Sequence, residues 1–112
     1  MSVYSGIVQE GKKLGTALGF PTANIELDDS GLSGVFAGTV RFEGKEYDAA
    51  IFADTERKLL EAYLLDFSGD LYGKEIAITV HTKLRDAKNF DSREALISAI
   101  KEDVKKVRDA LA

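Results

Sequence analysis

Hydrophobic and polar positions alternate with a period of two through most of this chain, and the period becomes helical only near the C-terminus. From 22 to 27, Ala23, Ile25 and Leu27 fall on one side and Thr22, Asn24 and Glu26 on the other, the pattern of a half-buried strand. The segments 3–9, 35–42, 45–52 and 76–84 are further strand candidates, and Glu43-Gly44 joins the second and third of these as a tight hairpin with glycine at the positive-φ position. Residues 53–58 read as a polar turn. The run 59–67 is apolar on both faces, which suits a central strand, and Ser68-Gly69-Asp70 ends it. Six short strands with short turns and no helix between them predict an antiparallel sheet closed or nearly closed into a barrel. Leu96, Ile97, Ile100, Val104, Val107 and Leu111 then recur at helical spacing, with Lys101, Glu102, Lys105, Lys106 and Arg108 on the other face. Asp91-Ser92-Arg93-Glu94 reads as a capping box with Asp91 as the cap, so an amphipathic C-terminal helix is expected to pack on the barrel.

Composition narrows the function classes. At 112 residues with 45% hydrophobic positions, the chain is expected to form one domain with a core that needs no staples. Fifteen Lys+Arg against nineteen Asp+Glu give a net charge of −4, without the basic surface that displaces phosphate counterions, so nucleic acid is not an expected partner. The basic residues near the C-terminus alternate with Glu102, Asp103 and Asp109 and read as a solvated helix face. With no cysteine there is no thiolate nucleophile, cysteine-bound zinc or disulfide. No run reaches the ~18 apolar residues of a membrane span and no signal-like start is present, so a cytoplasmic protein without membrane contact is expected. A monomer is a separate expectation, which composition does not decide.

The densest chemistry lies in Leu18-Gly19-Phe20-Pro21-Thr22-Ala23-Asn24-Ile25. Pro21 marks the entry of a loop into the sheet. Thr22 and Asn24, two residues apart, project a hydroxyl and an amide oxygen from one face, donors that suit Mg²⁺ arriving with a nucleotide. The alternative is that both face solvent on an edge strand. Before them, Gly11, Gly15 and Gly19 allow close backbone approach to phosphates and Lys12 and Lys13 add charge, without the pattern of a Walker loop. A loop without ligand has the same composition.

Glu61 shares its face with Leu59, Tyr63, Leu65 and Phe67, where a carboxylate is costly unless paired or placed at a pocket mouth, and where it can act as a general base for a hydroxyl. The competing reading is a strand-end glutamate that escapes to solvent. His81 lacks a catalytic partner in sequence and reads as a surface strand residue. Arg85 ends its strand, where it could recognise a phosphate or carbonyl; Tyr72 and Phe90 are packing residues or walls for a flat aromatic ligand.

Taken in order, Leu18-Gly19-Phe20-Pro21-Thr22-Ala23-Asn24-Ile25, Gly34-Val35-Phe36-Ala37, Glu61-Ala62-Tyr63-Leu64-Leu65-Asp66-Phe67, Gly69-Asp70-Leu71-Tyr72-Gly73, Leu84-Arg85 and Asn89-Phe90-Asp91-Ser92 resemble the riboflavin kinase family over nearly the whole chain. This family also forms the C-terminal half of bifunctional bacterial FAD synthetases. The resemblance implies a six-stranded antiparallel Greek-key barrel with a C-terminal helix, and transfer of the ATP γ-phosphoryl group to the ribityl 5′-hydroxyl of riboflavin, giving FMN and ADP. It implies Mg²⁺-nucleotide contacts from Thr22 and Asn24, a catalytic carboxylate at Glu61, and a nucleotide-covering loop around Gly11, Lys12, Gly15, Gly19 and Pro21. Tyr72, Arg85 and Phe90 would contribute to the flavin site. The chain departs from the family pattern at Gly15-Thr16-Ala17, at Ala87, at Tyr63 and in a shortened 51–58 segment. The shortened segment favours a second reading, a flavin- or nucleotide-binding barrel without turnover. FAD formation is not expected from a chain of this length.

Overall fold

The computed structural model describes residues 2–9, 22–29 and 31–112. It contains strands β1 (Ser2–Ile7), β2 (Ala23–Glu26), β3 (Gly34–Phe42), β4 (Lys45–Asp54), β5 (Leu59–Leu64) and β6 (Glu75–Arg85), followed by helix α1 (Arg93–Leu111). The strands form one antiparallel sheet in the order β1-β6-β3-β4-β5-β2. β3, β4 and β5 are a meander and β6 returns beside β3, which is the Greek-key arrangement. The β3–β4 hairpin turns through Glu43 (φ 50°) and Gly44 (φ 79°); both residues, rather than the glycine alone, take positive φ, as a two-residue turn matched to strand twist requires. Closure comes from the end of β1. The Gln9 N–H donates to the Asn24 carbonyl at 2.7 Å, and the Val8 N–H donates to the Lys74 carbonyl at 2.9 Å, so the two outer strands meet and the barrel is nearly closed.

Alternation along each strand divides inside from outside. In β5, Leu60, Ala62 and Leu64 are buried in the barrel, whereas Leu59, Glu61 and Tyr63 are half-buried on its outer surface. Ile25, Val40, Ile51, Leu60, Ile76 and Ile78 fill the interior with no exposed side chain among them, each such burial being worth roughly 1.5–3 kcal/mol. The sheet bends at Gly38, where the register of β3 against β6 shifts. A Cβ at Gly38 would collide with the Thr79 carbonyl oxygen and with Cδ1 of Ile51, so only glycine lets the two strands approach there.

α1 covers the outer face. Ala37, Ala50 and Tyr63 lie opposite one another across β3, β4 and β5, and the two alanines leave a shallow saddle that Val104, Val107 and Leu111 fill together with Leu65 and Leu84. Asp103, expected on a solvated face, is 5% exposed instead: Nε and Nη2 of Arg85 donate to its two carboxylate oxygens at 2.8 Å each. A bidentate partner offsets the cost of desolvating the carboxylate. Hence the polar position that breaks the apolar stripe of α1 is the one that fastens the helix to the end of β6.

Two sequence expectations are corrected. The helix cap is Ser92 rather than Asp91: Ser92 has the extended backbone of a cap and its Oγ accepts from the Ala95 N–H at 3.1 Å. Glu94 then stands one position too early for the reciprocal bond of a capping box. The run 59–67 is not one strand, because β5 stops at Leu64 and Asp66 takes a positive φ of 58°. The turn sends Leu65 to the helix and Phe67 back to the barrel core, where its ring meets Tyr47 edge-on at 5.0 Å between centroids.

Gly38→Ala is expected to destabilise the fold by about 1–3 kcal/mol through overpacking, read from urea unfolding. Asp103→Ala should cost about 2–4 kcal/mol, discounted from the value for a fully buried pair because Arg85 retains some contact with water. Circular dichroism during thermal unfolding would report that loss as a lower Tm.

Candidate active site

Strand register aligns the candidate residues before any side chain is considered. Gln9 bridges Asn24, Asn24 is opposite Glu61, Glu61 is opposite Phe52, Phe52 is opposite Val35, and Val35 is opposite Arg85. These residues form a single row across the barrel. Opposed residues in an antiparallel pair present their side chains on the same face. Asn24, Glu61 and Phe52 therefore share the outer surface of β2, β5 and β4.

β2 is not an open edge. Gln9 lies against it, and Asn24 is 3% exposed, while Thr22 is half-buried just before the strand. Burial of an amide requires hydrogen-bond partners, which distinguishes Asn24 from the solvated strand residue that its sequence position also allowed. Glu61 is half-buried as well and does not escape to solvent beyond the sheet.

The turn between β4 and β5 supplies a cation to Glu61. Asp54, the last residue of β4, accepts from the backbone N–H of Arg57 at 3.1 Å and from its Nε at 2.6 Å. The far side of the same guanidinium reaches Glu61, with Nη2 3.5 Å from Oε2. Burial pushes the Asp54 carboxyl up, but the hydrogen bonds from the Arg57 side chain and backbone outweigh it and hold the group below its ordinary value.

Beside this turn a cleft of about 780 Å³ opens between the β4–β5 connection and the segment joining β6 to α1. Phe52, Phe90 and Leu96 give it apolar walls, and Asp54, Arg57 and Ser92 give it polar ones. The cleft is open to solvent and its lining is mixed, with more polar residues than apolar ones around the two aromatic rings. Two cations address Phe90: Cζ of Arg85 lies 5.7 Å from its ring centroid and Nζ of Lys88 lies 5.3 Å away. Arg85 meets the cleft through Phe90, while its own hydrogen bonds go to Asp103 and to the Asp86 carbonyl.

The structure thus brings Asn24 and Glu61 together directly and connects them to Phe90 through Phe52 and the cleft. Tyr72 is 58% exposed at the other end of the row, in the connection where the Gly73 N–H donates to the Val8 carbonyl. It is not among the residues lining the cleft. Gly11, Lys12, Gly15, Gly19 and Pro21 lie outside the described residues. His81 is exposed. Sequence reading passed over Arg57, Asp54 and Phe52. Their signal was an Asp and an Arg three residues apart in the turn leading to Glu61, a spacing that closes a local ion pair when the turn is tight.

Because the folded Asp54 carboxyl lies below its unfolded value, its stabilisation is full above the ordinary value of 3.8 and is lost as pH falls through the depressed folded value. Asp54→Asn should lower stability at neutral pH by about 1–2 kcal/mol and flatten the acid-side decline, as measured by urea unfolding across an acid pH series.

A family model described as Flavokinase: Riboflavin kinase matches residues 2–111. The RNA-binding riboflavin kinase RibR of Bacillus subtilis is 33% identical over 93% of this chain and 49% of its own length. The bifunctional riboflavin kinase/FMN adenylyltransferase of Buchnera aphidicola is 38% identical over 89% of this chain and 36% of its own length. The chain thus spans about half or less of the length of these relatives. Among solved structures, riboflavin kinase from Trypanosoma brucei superposes with a TM-score of 0.68 at 34% identity, covering 97% of this chain and 78% of that one. A protein described as a macrolide-efflux protein from Streptococcus pneumoniae superposes with a TM-score of 0.82 at 28% identity, covering 95% of this chain and 38% of that one. A match over almost every residue, carried by a Greek-key barrel whose outer row holds Asn24 and Glu61, makes this chain a member of the riboflavin kinase family.

Proposed function

We propose that this chain catalyses ATP-dependent phosphorylation of riboflavin at the ribityl 5′-hydroxyl, giving FMN and ADP. The observation that carries the reading is the cross-strand pairing of Asn24 with Glu61 on a row that runs through Phe52 beside an aromatic-walled cleft. A metal-nucleotide contact and a candidate base thereby stand side by side, within reach of a place for a flat heterocycle.

Phosphoryl transfer asks the protein for alignment and charge neutralisation more than for covalent chemistry. Glu61 accepts a hydrogen bond from the ribityl hydroxyl and takes its proton onto a carboxylate oxygen as the phosphoryl group arrives. The half-buried setting of Glu61, with Leu59 and Tyr63 on its face, keeps competing water from that proton. Phe52 and Phe90 hold the isoalloxazine ring by their faces, and Arg85, fixed by Asp103, holds the Phe90 ring in turn. Backbone amides of the glycine-spaced segment bearing Gly11, Lys12, Gly15 and Gly19, entered at Pro21, are assigned to the nucleotide phosphates.

The donor set fits Mg²⁺ brought by the nucleotide. Thr22 and Asn24 offer neutral oxygens, and among the described residues no group of three or more His, Asp or Glu side chains forms a cation cage by itself. Thr22 and Asn24 would share the ion with the phosphates, and the ion supplies neutralisation of charge developing on the transferred group.

Riboflavin incubated with Mg-ATP and followed by chromatography should give FMN. Glu61→Gln is expected to slow that conversion by about 10²–10⁴-fold, while riboflavin still quenches on binding. Undiminished FMN formation by the variant would remove the assigned role from Glu61. Flavin binding without FMN formation by the unaltered chain would make it a binding barrel.

A further inference from the structure

Resting on the kinase reading, we infer that Arg57 is the positioning residue of Glu61 and that Asp54 is the anchor that fixes Arg57 for this task. The β4–β5 turn is thereby part of the active machinery as well as a connection between strands.

Geometry gives the guanidinium two separate attachments. Its Nε edge is committed to Asp54 Oδ2 at 2.6 Å, and the Arg57 backbone N–H is held by Oδ1 of the same carboxylate at 3.1 Å. One carboxylate thus fixes both ends of the arginine, its main chain and its head group. The remaining Nη2 is directed at Glu61 Oε2, at 3.5 Å. The planar guanidinium is rigid, so fixing Nε also fixes where Nη2 can stand. All three side chains are sheltered, with relative exposures of 32% for Arg57, 14% for Asp54 and 16% for Glu61. A pair in that setting is screened less than one on the open surface.

The consequence for Glu61 is orientational. A glutamate side chain on a strand has several rotamers, and only some present a carboxylate oxygen to a hydroxyl held beside Asn24. Arg57 engages Oε2, which restricts the rotamers open to the Glu61 side chain. The same guanidinium bridges Asp54 and Glu61 and supplies a positive charge between the two carboxylates. Arg57 lines the cleft as well. Two roles must therefore be told apart, contact with the flavin and control of Glu61.

The test uses the full chain with Arg57→Gln, Arg57→Lys, Asp54→Asn and the Arg57→Gln/Asp54→Asn double variant. For each, kcat and KM for FMN formation are measured, together with the riboflavin Kd from fluorescence quenching. Arg57→Gln should lower kcat by ~10- to ~100-fold, the scale of a misplaced catalytic group, with riboflavin Kd within about twofold of the unaltered chain because uniform binding is untouched. Arg57→Lys should recover part of the loss. Asp54→Asn should act in the same direction, and the double variant should be no slower than Arg57→Gln alone, because both act through one guanidinium. An unchanged kcat in Arg57→Gln, a Kd that weakens as far as kcat/KM falls, or additive losses would each overturn the assignment.

A readout independent of turnover separates this inference from the kinase reading. The Arg57 Nε–Hε NMR resonance should shift in Glu61→Gln and lose its protection from exchange in Asp54→Asn. If the unaltered chain makes no FMN, the kinase reading fails by itself, and the resonance still decides the control of Glu61. A signal indifferent to Glu61→Gln means that Arg57 does not hold it.

Discussion

Closure of the barrel at one backbone contact, the Gln9 N–H to the Asn24 carbonyl at 2.7 Å, is the constraint on which the site depends. β2 is only four residues long and pairs fully with β5 alone. Without Gln9 against it, Asn24 would be an edge residue, with its amide free to sample solvent. The contact is seated by its neighbours: Val8 exchanges hydrogen bonds with the 73–74 segment, so the end of β1 is held from two sides. Burial of Asn24 follows from that closure, and a buried amide with satisfied hydrogen bonds has a defined direction. Defined direction is what a ligand-holding side chain requires.

Two layers then share one sheet without interfering. The interior is apolar and fixed, with Ile25, Ile51 and Leu60 directly beneath the row that carries Asn24, Phe52 and Glu61. Every outer residue of that row is adjacent in sequence to a buried one, so its backbone inherits the rigidity of the core. On the same outer face, α1 occupies the neighbouring row through Ala37, Ala50 and Tyr63. The helix cannot slide over the row that carries Asn24 and Glu61, because Asp103 holds it to Arg85 at one point and Arg108 pairs with Asp66 at another. The first of these is sheltered and energetically significant; the second is exposed and serves mainly as a guide.

The sequence made the strands legible because a period of two survives wherever one face is buried. Thr22 to Leu27 and the stretch around Glu61 could be assigned to faces from that period alone, as could the apolar positions of the helix. It failed where a single residue changes direction. Asp66 looks like an ordinary polar position within an apolar run, and nothing in alternation announces its positive φ. Asp103 looked like one charge among many on a basic and acidic helix, because its partner Arg85 lies 18 residues away and only the fold brings them together. Asp54 and Arg57 were hidden for the opposite reason: they are local, and polar residues in a turn are the expected background. The roles given to Thr22, Asn24 and Glu61 came through a family resemblance. Periodicity left each of them open, and the structure narrows those alternatives by burying Asn24 and sheltering Glu61.

Spacing distinguishes a row across strands from a run along one strand. Adjacent strands are about 4.8 Å apart, so neighbouring members of the row differ by that step regardless of side-chain identity. Asn24 and Glu61 are one step apart, and Phe52 is one further step toward the cleft. Along a strand, same-face residues are about 6.6–6.8 Å apart and share a single backbone, so a small twist moves both together. Across the sheet each group has its own strand and its own loop. The β4–β5 turn can therefore change without altering the register, which stays with the barrel. In this chain that turn is short, and an Asp-Arg pair occupies it. Through that pair the turn reaches back to the row, with Arg57 Nε held by Asp54 at 2.6 Å and its Nη2 3.5 Å from Glu61.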